Sequence, residues 1–150
     1  MATGSKGYHV VAAIAPQLDG ETIALATQKL ASLLAAEHPE ELTTVFRIAL
    51  RGGRVFVDWM RNNPGATVVA PYSLRARARA SIATPLLWEE LDAHAPDAFT
   101  MADVDRLRDR PDPLADLAAS PQDAAPFVSA VDGAFERSGL VLEPFDRFRS

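Results

Sequence analysis

The hydrophobic positions of this chain follow two periods, and the change between them outlines the elements. Tyr8-His9-Val10-Val11-Ala12-Ala13-Ile14-Ala15 is a short apolar run, β-branched enough to predict a buried strand that Pro16 ends. Ile23, Ala26, Leu30, Leu33 and Leu34 then recur at helical spacing, which predicts an amphipathic helix over 21–37 with one buried stripe. Asp19-Gly20-Glu21 opens it, Asp19 and Glu21 reading as caps, and Pro39 lies just beyond its end. Residues 40–50 fit helix and strand equally. Arg51-Gly52-Gly53-Arg54 is a turn, and Val55-Phe56-Val57-Asp58-Trp59-Met60 reads as a strand. Asn62-Asn63-Pro64-Gly65 is a second turn before Thr67-Val68-Val69-Ala70, so 55–60 and 66–72 are predicted to pair as a hairpin.

From Pro85 the texture becomes helical. Leu86 to Leu91 predicts a short helix, with Trp88 in the core. Thr100-Met101-Ala102-Asp103 has the form of a capping box for a helix reaching Arg110. Ser120-Pro121 reads as N-cap and first residue of a last helix, and Gly139 as its stop. Strand, helix, strand, strand and a helical tail make an α/β (α+β) layer. There is no internal repeat and no low-complexity segment.

Length adds that 150 residues make about one domain, and a 48% hydrophobic content suits a globular core. No apolar run approaches the ~20 residues needed to cross a bilayer, and the N-terminus lacks a signal-peptide apolar region. The absence of cysteine excludes disulfides and thiolate metal sites and suits a reducing cytoplasm.

Charge is more informative. The net −5 argues against one broad basic surface, yet it averages three different stretches. Residues 1–46 carry −3 and residues 80–150 carry −8. Between them, Arg47, Arg51, Arg54, Arg61, Arg75, Arg77 and Arg79 face Asp58 alone, a local +6. Guanidinium forks match phosphate geometry, so this block is either an anion-binding element or a solvated basic face.

Three groups within this frame can carry chemistry. In Thr3-Gly4-Ser5-Lys6-Gly7 the glycines admit close approach of an anion, Thr3 and Ser5 offer hydroxyls, and Lys6 offers charge. His9 follows at the start of the predicted strand. Such a loop can hold a triphosphate, although its spacing is not that of a P-loop and it precedes a strand rather than a helix. The plainer reading is a flexible N-terminal turn. Asp58, at a strand end, is either a ligand for a hard cation or the partner of Arg54 or Arg61. Arg51 and Arg75 flank it in sequence and are predicted to converge near it and clamp phosphate oxygens. Arg77 and Arg79 continue the basic run and suit a nucleic-acid backbone.

Taken in order, Thr3-Gly4-Ser5-Lys6-Gly7-Tyr8-His9-Val10, Arg51-Gly52-Gly53-Arg54-Val55-Phe56-Val57-Asp58-Trp59, Arg61-Asn62 and Ala70-Pro71-Tyr72-Ser73-Leu74-Arg75-Ala76-Arg77 resemble the polymerase domain of bacterial DNA ligase D. Thr84-Pro85-Leu86 and Trp88-Glu89-Glu90-Leu91 extend the likeness to residues 3–91. That family belongs to the archaeo-eukaryotic primase superfamily and serves non-homologous end joining. The resemblance implies a partial primase-like fold, a mixed β-sheet flanked by helices with an acidic helical tail. Residues 1–84 would be the nucleotide-binding core and 85–150 a helical segment of the same domain. It also implies that Thr3, Ser5, Lys6, His9, Arg51 and Arg75 meet the incoming nucleotide. Asp58 and His9 would be catalytic, Asp58 would hold Mn²⁺ or Mg²⁺, and Arg77 and Arg79 would contact nucleic acid.

The sequence departs from the family in one respect. The family's D-x-D pair lies upstream of the histidine loop, and here the sequence starts three residues before Gly4. Ile48 and Leu50 also stand where relatives often place basic residues. The expectation is the C-terminal part of a cytoplasmic, nucleoid-associated repair polymerase acting on NTP or dNTP and DNA ends, with Ku and a DNA ligase domain as partners. With one of three metal carboxylates, the chain alone is expected not to extend a primer. The alternatives are a non-catalytic nucleotide- or DNA-binding module and a degenerate fragment.

Overall fold

The helix read from the 3.6-residue spacing forms as α1, Gly20–Glu37. Asp19 caps it, its carboxylate accepting a 2.7 Å hydrogen bond from the Thr22 N–H. That bond, the largest influence on the group, holds the Asp19 carboxyl below the usual carboxylate range. The buried face of α1 carries Ala24, Ala26 and Ala31, small residues that allow a neighbouring helix close approach. The computed structural model describes residues 1–117 and 119–142. The end of the helical tail expected over 85–150 therefore lies outside the described residues.

The chain folds as two compact units, each built from two separate stretches: Met1–Ile14 with Val68–Gln122, and Ala15–Thr67 with Asp123–Ser150. The first unit is organised by Ser81–Pro85, which is buried throughout. Ala2 and Thr84 exchange both backbone hydrogen bonds at 2.9 Å, Arg75 N–H donates to Ser81 O, and Ile82 N–H donates to Phe99 O. Ile82, Phe99 and Leu107 form the core, with Leu86 and Ala98 packed against it. Leu107 comes from α2 (Val104–Asp109). Thr100 and Asp103 cap the 3-10 turn leading into α2, as their box predicts.

In the second unit, α1 packs against α3, Ala125–Ser138, and is tied to it by a 2.7 Å pair between Lys29 Nζ and Asp132 Oδ1. Gly139 ends α3 in the left-handed region at φ 68°, as its sequence position predicts. Beside the helices, β1 (Leu42–Thr43) pairs in parallel with β2 (Val55–Phe56), in the register Leu42 to Val55 and Thr43 to Phe56. The hairpin expected between 55–60 and 66–72 does not form. β2 takes β1 instead, which the intervening turns at Ile48–Leu50 and Arg51–Arg54 allow. The far end of the expected partner strand is held in the first unit, where the Tyr72 N–H donates to Ala83 O.

Four further expectations are corrected. The run 8–15 is no buried strand. Only Tyr8 and Ile14 make isolated bridges, and Val10 is 80% exposed, because among the described residues no strand pairs with 9–13. Leu86 to Leu91 gives only a 3-10 turn, Trp88–Glu90. Trp88 stands 71% exposed, because Leu86 fills the core position in its place. Finally, α3 starts at Ala125-Pro126 rather than Ser120-Pro121. Either proline suits a first turn, but Asp123 Oδ1 is placed to accept from the Ala125 N–H at 2.9 Å. The fold class itself holds: helices and a small parallel sheet, with further parallel and antiparallel bridges. No helix among the described residues is long and apolar enough to cross a membrane.

Candidate functional site

The glycine-rich loop closes on itself. The Thr3 N–H and hydroxyl both donate to Gly7 O, at 3.1 and 2.6 Å, so the hydroxyl proton of Thr3 points into the loop. Gly4 sits deeper, with its N–H on Pro96 O at 2.8 Å and its carbonyl accepting from the buried Ser81 hydroxyl at 2.6 Å. At φ 66° it occupies a conformation that glycine adopts most readily, and a Cβ there would lie 2.7 Å from Arg75 Cγ. Its backbone groups are therefore fixed by the protein, and any anion is left to the residues that follow.

Those residues meet a second turn. Residues 72–75 run antiparallel to 81–84, and the chain reverses through Arg77–Ala80, where Ala80 has φ 46°. The reversal lines a cleft of about 270 Å³ with Gly4, Ser5, Lys6, Arg77, Ala78, Arg79, Ser81 and Asp97. Arg77 Nη2 donates to the Ser5 hydroxyl at 2.9 Å, and Arg79 lies 3.9 Å from the Asp97 carboxylate. Lys6 makes no ion pair among the described residues. Three cations against one carboxylate, all in contact with water, suit a polyphosphate or a nucleic-acid backbone.

The structure thus brings Ser5, Lys6, Arg77 and Arg79 together from two distant stretches. Arg75 is adjacent, its side-chain stem against Gly4. His9 pairs with Met1 through both backbone groups at 2.8 Å. Ser81, Pro96 and Asp97 have no sequence signal of their own. They enter because 81–84 is the central segment of the unit, and only that placement puts the Ser81 hydroxyl under the Gly4 carbonyl.

Arg51 and Asp58 lie in the other unit. Arg51 donates from Nε to Val45 O (3.0 Å) and from Nη2 to Phe46 O (2.6 Å), with its guanidinium carbon 4.1 Å from the Phe56 ring centroid. Asp58 follows β2 and takes Arg61 as its partner: Oδ1 accepts from the Met60 N–H at 3.1 Å and Oδ2 from Arg61 Nε at 3.3 Å. Arg54 instead donates from Nε to Arg51 O at 2.8 Å. A hard divalent cation takes about six oxygen ligands, several of them carboxylate. Among the described residues no three His, Asp or Glu side chains gather to hold one, and both Asp58 oxygens already accept hydrogen bonds.

Tyr72, beside Arg75 in the same turn-and-strand segment, is held at φ 62° by its N–H bond to Ala83 O and by its hydroxyl, which donates to Asp112 Oδ1 at 2.9 Å. Burial first, and then the Asp112 hydrogen bond and charge, push its phenol up to about 12. The folded value is raised, so this contribution to stability is complete below the ordinary value near 10 and is lost as pH rises through about 12. In a Tyr8→Phe variant the single remaining tyrosine should titrate near 12 in ultraviolet difference spectra. Asp112→Asn should return it toward 10, and a midpoint near 10 without that change would count against the contact.

A family model described as the LigD primase-polymerase domain matches residues 1–114. The multifunctional non-homologous end joining protein LigD of Mycolicibacterium smegmatis is 34% identical over 124 residues, which is 83% of this chain and 16% of that protein. The bifunctional non-homologous end joining protein LigD of Bacillus subtilis is 30% identical over 124 residues, covering 81% of this chain and 20% of its own length. Among solved structures, the polymerase domain of Mycobacterium tuberculosis ligase D in complex with DNA superposes with a TM-score of 0.60 at 32% identity. That likeness covers 69% of this chain and 37% of the solved one. The chain therefore spans only a minor share of the relatives it matches.

Proposed function

The chain belongs to the LigD primase-polymerase domain family, and from that membership we propose that it is the phosphate-gripping portion of a ligase-D-type repair polymerase. In a complete domain the activity is templated and terminal nucleotidyl transfer at DNA ends during non-homologous end joining, with Ku and a DNA ligase as partners, in the bacterial cytoplasm. The family is metal-dependent, and Mn²⁺ or Mg²⁺ is the ion we assign to the complete site. Asp58 is the residue of this chain that would hold the ion, and no step is routed through it.

One observation carries the proposal. Ser5, Lys6 and Arg77, drawn from two motifs of the family, line one open cleft together with Arg79. Arg77 and Arg79 bring charge to it, the Ser5 hydroxyl is fixed by Arg77, and Lys6 remains without a carboxylate partner among the described residues. Phosphate oxygens are the chemistry such a set recognises. The position of Asp58, paired with Arg61 rather than grouped with other carboxylates, favours a second reading alongside it: acting alone, the chain binds nucleotide or DNA without catalysing extension.

Titration of the 150-residue chain with ATP and with a short single-stranded oligodeoxynucleotide tests both readings. Binding is expected to weaken with salt, and Arg77→Ala should reduce the slope of log affinity against log salt for the oligonucleotide by about 1. No primer extension is expected with Mn²⁺ present. Absence of binding to either ligand would overturn the proposal, and nucleotide addition would overturn the second reading.

A further inference from the structure

The two arginines of the cleft are held in different ways. Arg77 Nη2 donates to the Ser5 hydroxyl at 2.9 Å, so part of its fork is committed to the loop. Arg79 makes no side-chain hydrogen bond among the described residues. Its ion-pair partner is Asp97, with Nη1 3.9 Å from Oδ2, close enough for attraction and too far for a hydrogen bond. The Asp97 carboxylate likewise accepts no hydrogen bond among the described residues. The charge of Arg79 also reaches Asp103. That carboxylate is engaged on both oxygens, Oδ2 by the Thr100 N–H and hydroxyl at 2.9 and 3.1 Å, and Oδ1 by Arg106 at 3.1 Å.

Both backbones are fixed, so the pairing belongs to the fold. Pro96 O accepts from the Gly4 N–H at 2.8 Å and Phe99 O from the Ile82 N–H at 2.8 Å, which pins the segment carrying Asp97 on either side. Arg79 sits in the chain reversal, where the Ala80 N–H donates to Arg77 O at 2.8 Å and Ala80 O accepts from the Met101 N–H at 3.1 Å. The side chains themselves reach solvent, 65% exposed for Arg79 and 47% for Asp97. An exposed pair of this kind contributes little on its own, so a ligand can break it. A guanidinium with its donors free gains more from phosphate oxygens within hydrogen-bond reach than from a carboxylate beyond it. The carboxylate stays in the cleft afterwards, and a phosphate that enters does so against its charge.

We propose that Asp97 is a built-in competitor for this cleft: it holds Arg79 until a phosphate group takes the guanidinium over, and its remaining charge keeps the grip weak enough to release. The inference rests on the phosphate-binding reading above and adds the residue that sets how tightly the cleft holds. Lys6, Arg77 and Arg79 face Asp97 across the lining, a charge of +2 that becomes +3 when the carboxylate is lost. The ligand chemistry is a phosphate group, from a free nucleotide or from a nucleic-acid backbone.

The experiment titrates ATP and a short single-stranded oligodeoxynucleotide separately into the whole 150-residue chain, at low and at high salt. The variants are Asp97→Asn, Asp97→Ser, Arg79→Gln and the double variant combining Asp97→Asn with Arg79→Gln. Asp92→Asn removes an exposed carboxylate that does not line the cleft and so controls for net charge. Asp97→Asn should tighten binding about threefold to tenfold at low salt, with the gain shrinking at high salt. Asp97→Ser should do the same, so a folding defect in one variant does not decide the result. Arg79→Gln should weaken binding more in the Asp97→Asn background than in the parent, by about twofold to fivefold, because only in the parent is an ion pair lost on binding. The ligand whose affinity moves identifies the source of the phosphate. Unchanged or weaker binding in both Asp97 variants would overturn this inference alone. So would equal tightening by Asp92→Asn, or strictly additive effects in the double variant. Failure of the parent chain to bind either ligand would overturn it together with the reading it rests on, which keeps the two failures distinct.

Discussion

Gly4→Ala should cost the first unit about 2–5 kcal/mol, the largest effect expected of any single methyl group added to the site. The residue holds φ 66°, where an L side chain costs ~1–2 kcal/mol. The new Cβ would then lie 2.7 Å from Arg75 Cγ, 3.0 Å from the Ile82 carbonyl carbon and 3.1 Å from Ala83 N. The arginine stem can swing away, but Ile82 and Ala83 belong to the buried central segment and can move only with it. Overpacking of that kind costs a further ~1–3 kcal/mol. Urea unfolding would read the loss as a lower midpoint, and ATP binding should fall with it because Ser5 and Lys6 lose their footing. Gly7→Ala is the control, since a Cβ at Gly7 meets nothing within 4 Å. Equal midpoints for the parent and Gly4→Ala would show that the loop is not built as described.

Arg51→Ala should lower stability by about 2–3 kcal/mol, and Arg51→Lys should fail to restore it. Truncation removes the two bonds to Val45 O and Phe46 O, worth about 1 kcal/mol each net. It also removes the guanidinium from the Phe56 ring at 4.1 Å, worth about 0.5–1 kcal/mol at a partly exposed site. A lysine keeps the charge but is a single point donor and cannot span two adjacent carbonyls as a fork does. If Arg51 served only to attract phosphate, neither substitution would lower stability in the absence of ligand, and lysine and alanine would melt alike. Denaturant melts in which both variants match the parent would therefore sink the structural role.

These two residues also show what was legible in the sequence. Gly4 and Arg51 could be picked out by type, because glycine-rich turns and isolated arginines advertise themselves, but the atoms they hold could not. The same divide runs through the fold. α1 with its Asp19 cap, the Thr100–Asp103 box and the Gly139 stop were legible, because each depends on residues within a few positions of itself. The sheet was not. β2 finds its partner in β1 rather than in the next apolar run, and Ser81–Pro85 becomes central only because Ala2, residues 72–75 and residues 99–100 all reach it. Val10 and Trp88 looked like core and are exposed, since apolar character says nothing about which neighbour is present to cover it. In the site, Lys6 and Arg77 were each marked by charge. Their meeting through Ser5 depended on a reversal at Ala80 whose positive φ no alanine advertises.

The division of the chain into two units, each assembled from separated stretches, has a consequence for how the protein comes into being. The first unit needs residues near Met1 and residues up to Gln122, and the second needs Ala15–Thr67 together with α3. On a ribosome, the first unit lacks parts until Gln122 has emerged and the second until α3 has, so α1 waits in the open for a helix synthesised almost ninety positions later. The entropy of closing such long loops grows only slowly with length, but the waiting leaves apolar surface uncovered in the meantime. In nascent chains arrested before α3, α1 should therefore be protease-sensitive, and its native resistance should arrive only with that helix.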